Sequence, residues 1–383
     1  MSTRHLLPVI VFSQFAGTSV WFAGNAIISD IHAAGNFANI TSVVQFGFIA
    51  GTLVFSLLSI ADRFEAKKVF FISSSIAASA NLLLLWTAND FTLLLILRFI
   101  TGFFLAGIYP VGMKIAADCF PEKLGNALGF LVGALVLGTA FPHILKSQLH
   151  SFPWQDVIVF TSCLAFIGGL LILLFIPKHQ TKEIFHPDRS AAFSIFRLPE
   201  FRSAAFGYFG HMWELYALWA FVPVIIRIFN EHQHAVLDVP FWSFLIIGAG
   251  SLGCVAGGMI SQKTGSRKVA FYSLLISGAC CLCACFSIVL PTFIFLSFML
   301  IWGATVASDS PQFSTMVAKS APVKNKGTAL TIVTSIGFSI TILSIQLLRW
   351  AVDSWKEYGL LILVTGPVAG LMAMKKNPIA EKS

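Results

Sequence analysis

The chain has 383 residues, of which 57% are hydrophobic and only 11% charged, and its mean hydropathy is +0.83. Soluble domains carry about a quarter charged residues, so this composition excludes a water-soluble globular protein and makes the bilayer the main solvent. The formal charge of +8 lies in short clusters between apolar runs, not on one basic face with interleaved aromatics, so no nucleic-acid partner is expected.

A hydrocarbon core about 30 Å thick needs about 20 apolar residues of helix, and lipid offers the backbone no hydrogen-bond partner. The apolar runs predict twelve helices, at about 6–29, 40–60, 69–88, 91–113, 125–145, 155–176, 203–226, 240–261, 269–289, 291–317, 327–348 and 358–374. The basic start at Met1–His5 imitates a signal peptide, but the run after it is about 24 residues long and carries polar residues at helical spacing. It reads as the first span. Gln14, Thr18, Trp21 and Asn25 fall on one face of it, either lining a cavity or hydrogen-bonding neighbouring helices.

The fourth run holds Arg98, with Tyr109 further along the same face. A charge at mid-membrane costs about 3 kcal/mol on insertion scales, so Arg98 needs an acid, a substrate anion or water, or else serves to tie down a loop. The fifth run contains Pro142 and His143, a proline beside a titratable group of the kind found where transporter helices break. The polar stretch from Pro177 to Arg202 reads as a linker.

The seventh run carries the densest chemistry: Tyr208, His211 and Glu214 at successive i, i+3 steps, with Trp213, Tyr216 and Trp219 close by. In the tenth, Asp309 stands beside Ser308, Pro311 and Gln312. Glu214, Asp309 and His211 are the groups able to take up and release a proton within the membrane. The seven cysteines show no metal-ligand pattern, and Cys280, Cys281, Cys283 and Cys285 sit in an apolar run as packing residues; no metal or cofactor is expected.

Nearly every Lys and Arg falls on the side that holds both termini. The exceptions are Arg98 and, on the other side, Lys146, Arg227, Arg349 and Lys356. Positive loops stay in the cytoplasm, so both termini are expected there. The chain also repeats itself at an offset of about 200. Asp62-Arg63 with Lys67-Lys68 aligns with Gln262-Lys263 and Arg267-Lys268; Gly102, Pro110 and Pro121 align with Gly303, Pro311 and Pro322; Gly125-Asn-Ala-Leu128 aligns with Gly327-Thr-Ala-Leu330. Two six-helix halves follow, about 1–176 and 203–383, joined by a cytoplasmic linker at about 177–202.

These features resemble the major facilitator superfamily over essentially the whole chain. Asp62-Arg63 with Lys67-Lys68 is similar to the family's loop between its second and third helices, though Leu58 and Glu65 replace its glycines. Gly258, Gly265, Arg267 and Lys268 match the second copy, where Gln262 replaces the acid, and Arg98 with Gly102 resembles the family's element in helix 4. Trp21–Asn25, Gly138–His143 and Gly207–Glu214 loosely resemble a bacterial branch related to cyanate and nitrate permeases. Helix 5 lacks the paired glycines of drug-proton antiporters.

The resemblance implies an all-α membrane fold of two pseudo-symmetric six-helix bundles, with helices 1, 4, 7 and 10 facing a central cavity. It turns Gln14, Thr18, Trp21, Asn25, Arg98, Tyr109, His143, Tyr208, His211, Trp213 and Gln312 into candidate cavity residues. It also makes Asp62, Arg63, Lys67, Lys68, Gln262 and Arg267 a candidate cytoplasmic gate. The implied function is secondary transport of a small solute across a bacterial inner membrane by alternating access, proton-coupled, by a monomer embedded in lipid. The alternatives are an uncoupled facilitator or exporter of the same fold, a transporter-derived receptor, or an intramembrane enzyme. No nucleotide-binding loop and no Ser-His, zinc or paired-Asp signature is present. The substrate stays open: Arg98 and Lys114 suit an anion, Glu214 and Asp309 a cation or protons.

Overall fold

The computed structural model describes residues 6–27, 30, 36–87, 90–120, 124–148, 153–177, 195–322 and 326–375. Most of the expected linker, 178–194, lies outside the described residues. Among the described residues the fold is helical, with no strand. Ten stretches are long and apolar enough to cross a membrane. One of them, 329–375, reverses at Trp355–Lys356, where Lys356 takes φ 50°, and so supplies two spans; a shorter apolar helix, Leu6–Thr18, begins the remaining one.

The spans are α1 (Leu6–Thr18, resuming at Ala23–Ala26), α2 (Phe37–Leu57), α3 (Ala66–Leu82, with Leu84–Thr87), α4 (Phe91–Leu105 and Tyr109–Cys119), α5 (Leu124–Gln148) and α6 (Trp154–Phe175). The second half has α7 (Pro199–Gln233), α8 (Val239–Thr264), α9 (Ser266–Ser287), α10 (Thr292–Ser308 and Ser310–Ser320), α11 (Lys326–Trp355) and α12 (Thr365–Lys375, led in by the 3-10 segment Lys356–Val364). Helix α7 outruns its expected span at both ends. Charge marks where a helix leaves the hydrocarbon, not where its hydrogen bonding stops, and the backbone continues through Arg202 and Arg227.

Three helices are broken where α-helical bonding has a competitor. In α1, Thr18 Oγ1 donates to Gln14 O at 2.8 Å and Ser19 Oγ to Ala16 O at 2.7 Å, after which residues 19–22 turn without continuing the helix. In α4 and α10 the breaks fall at Ala106–Ile108 and at Asp309, and each second segment begins with a proline in its first turn, Pro110 and Pro311. Proline has no N–H to give to the preceding turn but suits the start of the next one. The repeated prolines thus place equivalent breaks in the two halves.

Small residues let helices within each half approach closely. A Cβ on Gly102 (α4) would collide with Val44 O of α2, and one on Gly303 (α10) with Ile246 O of α8. The halves meet along two seams. Helices α5 and α8 touch at Gly129, where a Cβ would lie 3.4 Å from Gly258 Cα, and at their other ends, where Ser147 Oγ donates to Asp238 at 2.8 Å. Across α2 and α11, Gln346 Nε2 donates to Asn39 Oδ1 at 3.2 Å and to Ser42 Oγ at 2.9 Å.

Candidate functional site

Between the halves lies a cavity lined by Tyr109 and Leu135 of the first half and by Tyr208, Tyr216, Trp219, Ser310 and Phe338 of the second. The break in α4 puts Tyr109 at the head of its second segment, and α7 presents residues 208, 212, 215, 216 and 219 along one stripe. A cluster of rings closes the cavity on the side away from the termini. Phe48 and Phe338 centroids are 4.4 Å apart, Trp21 lies 5.0 Å from Phe48 and 5.6 Å from Tyr216, and Tyr216 lies 5.1 Å from Phe338. These contacts join α1 and α2 to α7 and α11. All four contacts are tilted, and rings packed this closely exclude water, which suits a closed barrier.

The stair Tyr208, His211, Glu214 does not point one way. Each three-residue step turns about 60° short of a full circle. Tyr208 therefore faces the cavity, His211 its flank, and Glu214 the interior of the second half. His211 Nδ1 stands 2.8 Å from Asp309 Oδ1, at ion-pair distance but off hydrogen-bond alignment, and both side chains are buried. Among the described residues, His211 Nε2 and Asp309 Oδ2 lack hydrogen-bond partners. Glu214 is held on both oxygens: Trp302 Nε1 donates to Oε1 at 2.6 Å and Ser277 Oγ to Oε2 at 3.0 Å. Asp309 sits at the break of α10, next to the cavity-lining Ser310.

Arg98 does not meet Asp309. Its guanidinium donates to Val20 O at 3.1 Å, to Trp21 O, and to Asn81 Oδ1 at 3.3 Å. The two carbonyls belong to the unwound part of α1, so the cation satisfies acceptors that the break set free. Asn81 is in turn fixed by donating to Thr161 Oγ1 at 3.1 Å and Ser162 Oγ at 3.0 Å. Gly24 permits this seating, since a Cβ there would lie 3.1 Å from Arg98 Nε.

The α1 stripe spreads over several roles. Gln14 is buried beside Gly112 with neither amide atom partnered, Thr18 bonds within its own helix, Trp21 belongs to the ring cluster, and Asn25 donates to Thr41 Oγ1 at 2.6 Å. His143 lines a second space, of about the same volume, with Asn25, Trp219 and Arg227. Trp213 turns away from the central cavity and donates to Ile362 O at 3.1 Å. Gln312 is buried with its Oε1 unpartnered.

On the terminal face, Lys67 Nζ donates to Ile176 O at 2.9 Å, at the end of α6, and Arg267 donates to Met374 O, at the end of α12. Each cation meets the carbonyl end of the last helix of its own half, where the helix dipole favours it. These two bonds brace the halves internally; neither crosses between them. Lys68 pairs with Glu65 at 3.4 Å, Arg63 and Gln262 are exposed, and Asp62 lies in the four-residue helix Ile60–Arg63.

Sequence reasoning missed Phe48, Phe338 and Leu135 as elements of the site. An aromatic or leucine inside a continuous apolar run shows no contrast with residues that face lipid.

The sequence model of the Major Facilitator Superfamily matches residues 6–345. A Bacillus subtilis protein named as a candidate niacin/nicotinamide transporter, NiaP, is 32% identical over 158 residues, 37% of this chain and 36% of that protein. An uncharacterized transporter of Buchnera aphidicola is 28% identical over 133 residues, 34% of this chain and 31% of that protein. The chain thus spans about a third of the length of these curated relatives. Among solved structures, the human organic anion transporter MFSD10 superposes with a TM-score of 0.75 at 14% identity, covering 99% of this chain and 100% of the other. The Escherichia coli fucose:proton symporter FucP gives 0.67 at 14% identity, covering 99% and 100%.

Proposed function

The chain belongs to the major facilitator superfamily, and from that premise we propose that it is a proton-linked carrier of small organic anions that works by alternating access. Two six-helix bundles, 1–176 and 203–383, rock about the tyrosine-lined cavity, with the linker 177–202 and both termini on the cytoplasmic side of a bacterial inner membrane, as the Lys and Arg distribution favours. The single observation that carries the reading is the buried His211–Asp309 pair at the break of α10, flanking that cavity.

Charge supplies the coupling. With one proton shared on the imidazole, the pair is a neutral His⁺–Asp⁻ unit; without it the pair is negative and repels an anion; with a second proton it is positive and attracts one. Proton loading and anion binding thus favour one another, and linkage makes the effect reciprocal. Tyr109, Tyr208 and Tyr216 provide hydroxyl donors and ring faces to an organic acid. Glu214, turned away from the cavity and bonded by Trp302 and Ser277, holds α7 against α9 and α10. The anion class also agrees with the names of NiaP and MFSD10, and proton linkage with that of FucP.

The test is uptake into proteoliposomes against a panel of organic acids, nicotinate included, under an imposed acid-outside gradient. Accumulation above equilibrium is expected in the wild type and its loss in Asp309→Asn, with exchange of labelled for unlabelled solute retained. Gradient-driven accumulation persisting in both Asp309→Asn and His211→Gln overturns the coupling.

A further inference from the structure

The space around His143 lies toward the ends of α1, α2, α5 and α7 away from the termini, and it is not the cavity used above. Its walls are the rings of Phe22, Phe37 and Trp219, with Asn25, His143 and Arg227 as polar lining. The space is open on one side: its depth has room for about one water, and counted to its mouth it measures ≈ 350 Å³. Three of the lining side chains carry a buried polar atom with no partner among the described residues: Asn25 Oδ1, His143 Nε2 and Trp219 Nε1. His143 and Trp219 are 3% and 1% exposed. Buried polar atoms are ordinarily paired, and three without a partner among the described residues leave hydrogen-bonding capacity on one space.

The charge around the space selects the occupant. Arg227 is near enough to act electrostatically on His143, and the acid that acts on Arg227 is Glu231, one turn along the same helix; no carboxylate stands within ion-pair distance of Arg227 among the described residues. Asp30, beyond the end of α1, and Lys146 of α5 neutralise one another at 2.7 Å, and Asp238, which caps the start of α8, accepts from Ser147. Arg227, exposed and acted on by Glu231 of its own helix, thus sets a cation at the open side of the space, beside an indole and an imidazole between aromatic walls. Trp219 also lines the central cavity, so one indole separates the two spaces.

We propose that this space is an outer loading site for the carboxylate head of a planar aromatic acid, which is held by Arg227, His143 and Trp219 Nε1 and passes Trp219 to reach the central cavity. The site rests on the organic-anion reading for its solute only; it does not need proton coupling.

Binding to the full-length protein in nanodiscs decides it, with nicotinate and benzoate as probes, nicotinamide and benzyl alcohol as neutral controls, and calorimetry with tryptophan quenching as readouts. Arg227→Gln is expected to weaken both acids about 30-fold and His143→Gln about 5-fold, with the neutral controls unmoved and Arg227→Lys largely restoring the acids. An equal loss of acid and neutral ligand in Arg227→Gln, no loss at all, or no binding of either acid to the wild type overturns the site. A wild-type unfolding midpoint in Arg227→Gln separates lost contact from misfolding. Asp309→Asn and Tyr208→Phe alter the central cavity and with it total acid binding, but the further loss caused by Arg227→Gln is expected to persist in both backgrounds, so failure of the coupled-carrier reading and failure of the outer site give different patterns.

Discussion

Arg98 and Asp309 stand in equivalent helices of the two halves, α4 and α10, yet their surroundings differ in kind. Arg98 precedes Gly102 by one turn, and the corresponding place before Gly303 holds Met299. The guanidinium gives its protons to fixed acceptors, the carbonyls of Val20 and Trp21 and the amide of Asn81. Asp309 instead faces one imidazole, with an oxygen to spare, at a point where the helix is already interrupted. A buried charge bound to backbone is a fastener. One bound to a titratable neighbour can change state, because a proton added to the pair strands no other group. The comparison teaches that equivalent helices hold intramembrane charge in different ways, on fixed acceptors in α4 and against a titratable neighbour in α10.

Substitution can break that contrast. The largest effect is expected for Asp309→Asn: loss of gradient-driven accumulation by roughly 100-fold, the upper range for a coupling between two ligands, measured in proteoliposomes. Uptake by the wild type should rise as the outside pH falls, and that slope should vanish in the variant; the same slope in both would place the proton elsewhere. Next comes Arg98→Ala, expected to remove about 3–5 kcal/mol by stranding buried acceptors and so to lower the thermal unfolding midpoint in detergent by roughly 10 °C. A loss of gradient coupling at unchanged stability would make Arg98 a transport residue after all.

Two smaller effects sharpen the comparison. Gly102→Val and Gly303→Val press side chains into Val44 O and Ile246 O, and each should cost about 2 kcal/mol of stability, alike within error. Unequal costs would show that the halves differ in packing as well as in charge. The smallest change is expected for Glu214→Gln, where the amide oxygen still accepts from Trp302 and the amide nitrogen donates to Ser277 Oγ; uptake should stay within about 3-fold of wild type. An uptake defect as large as that of Asp309→Asn would return Glu214 to the proton path.

Much of this was legible in the residues. The spans follow from apolar runs of bilayer length, but the breaks of α4 and α10 were not foreseen although their prolines repeat at one offset, and Pro142, where a break was suspected, lies inside the continuous helix α5. His211 and Asp309 could each be named because titratable residues are rare in membrane helices, but that they meet was not legible. The direction of each side chain was not legible. Tyr208, His211 and Glu214 share a three-residue rhythm that looks like one face over two steps, but the residual turn carries Glu214 onto α9 and α10.

What the sequence determined by itself is the solvent, the helical character of the fold and the short set of charges that lipid cannot tolerate unpaired. These are properties of local composition, and a hydrocarbon layer reads composition directly. What only the tertiary structure decided is which partner each charge found: backbone for Arg98, Lys67 and Arg267, an imidazole for Asp309, an indole and a hydroxyl for Glu214. Partner choice depends on contacts between residues far apart in the chain, and no run of neighbouring residues encodes the distance between them.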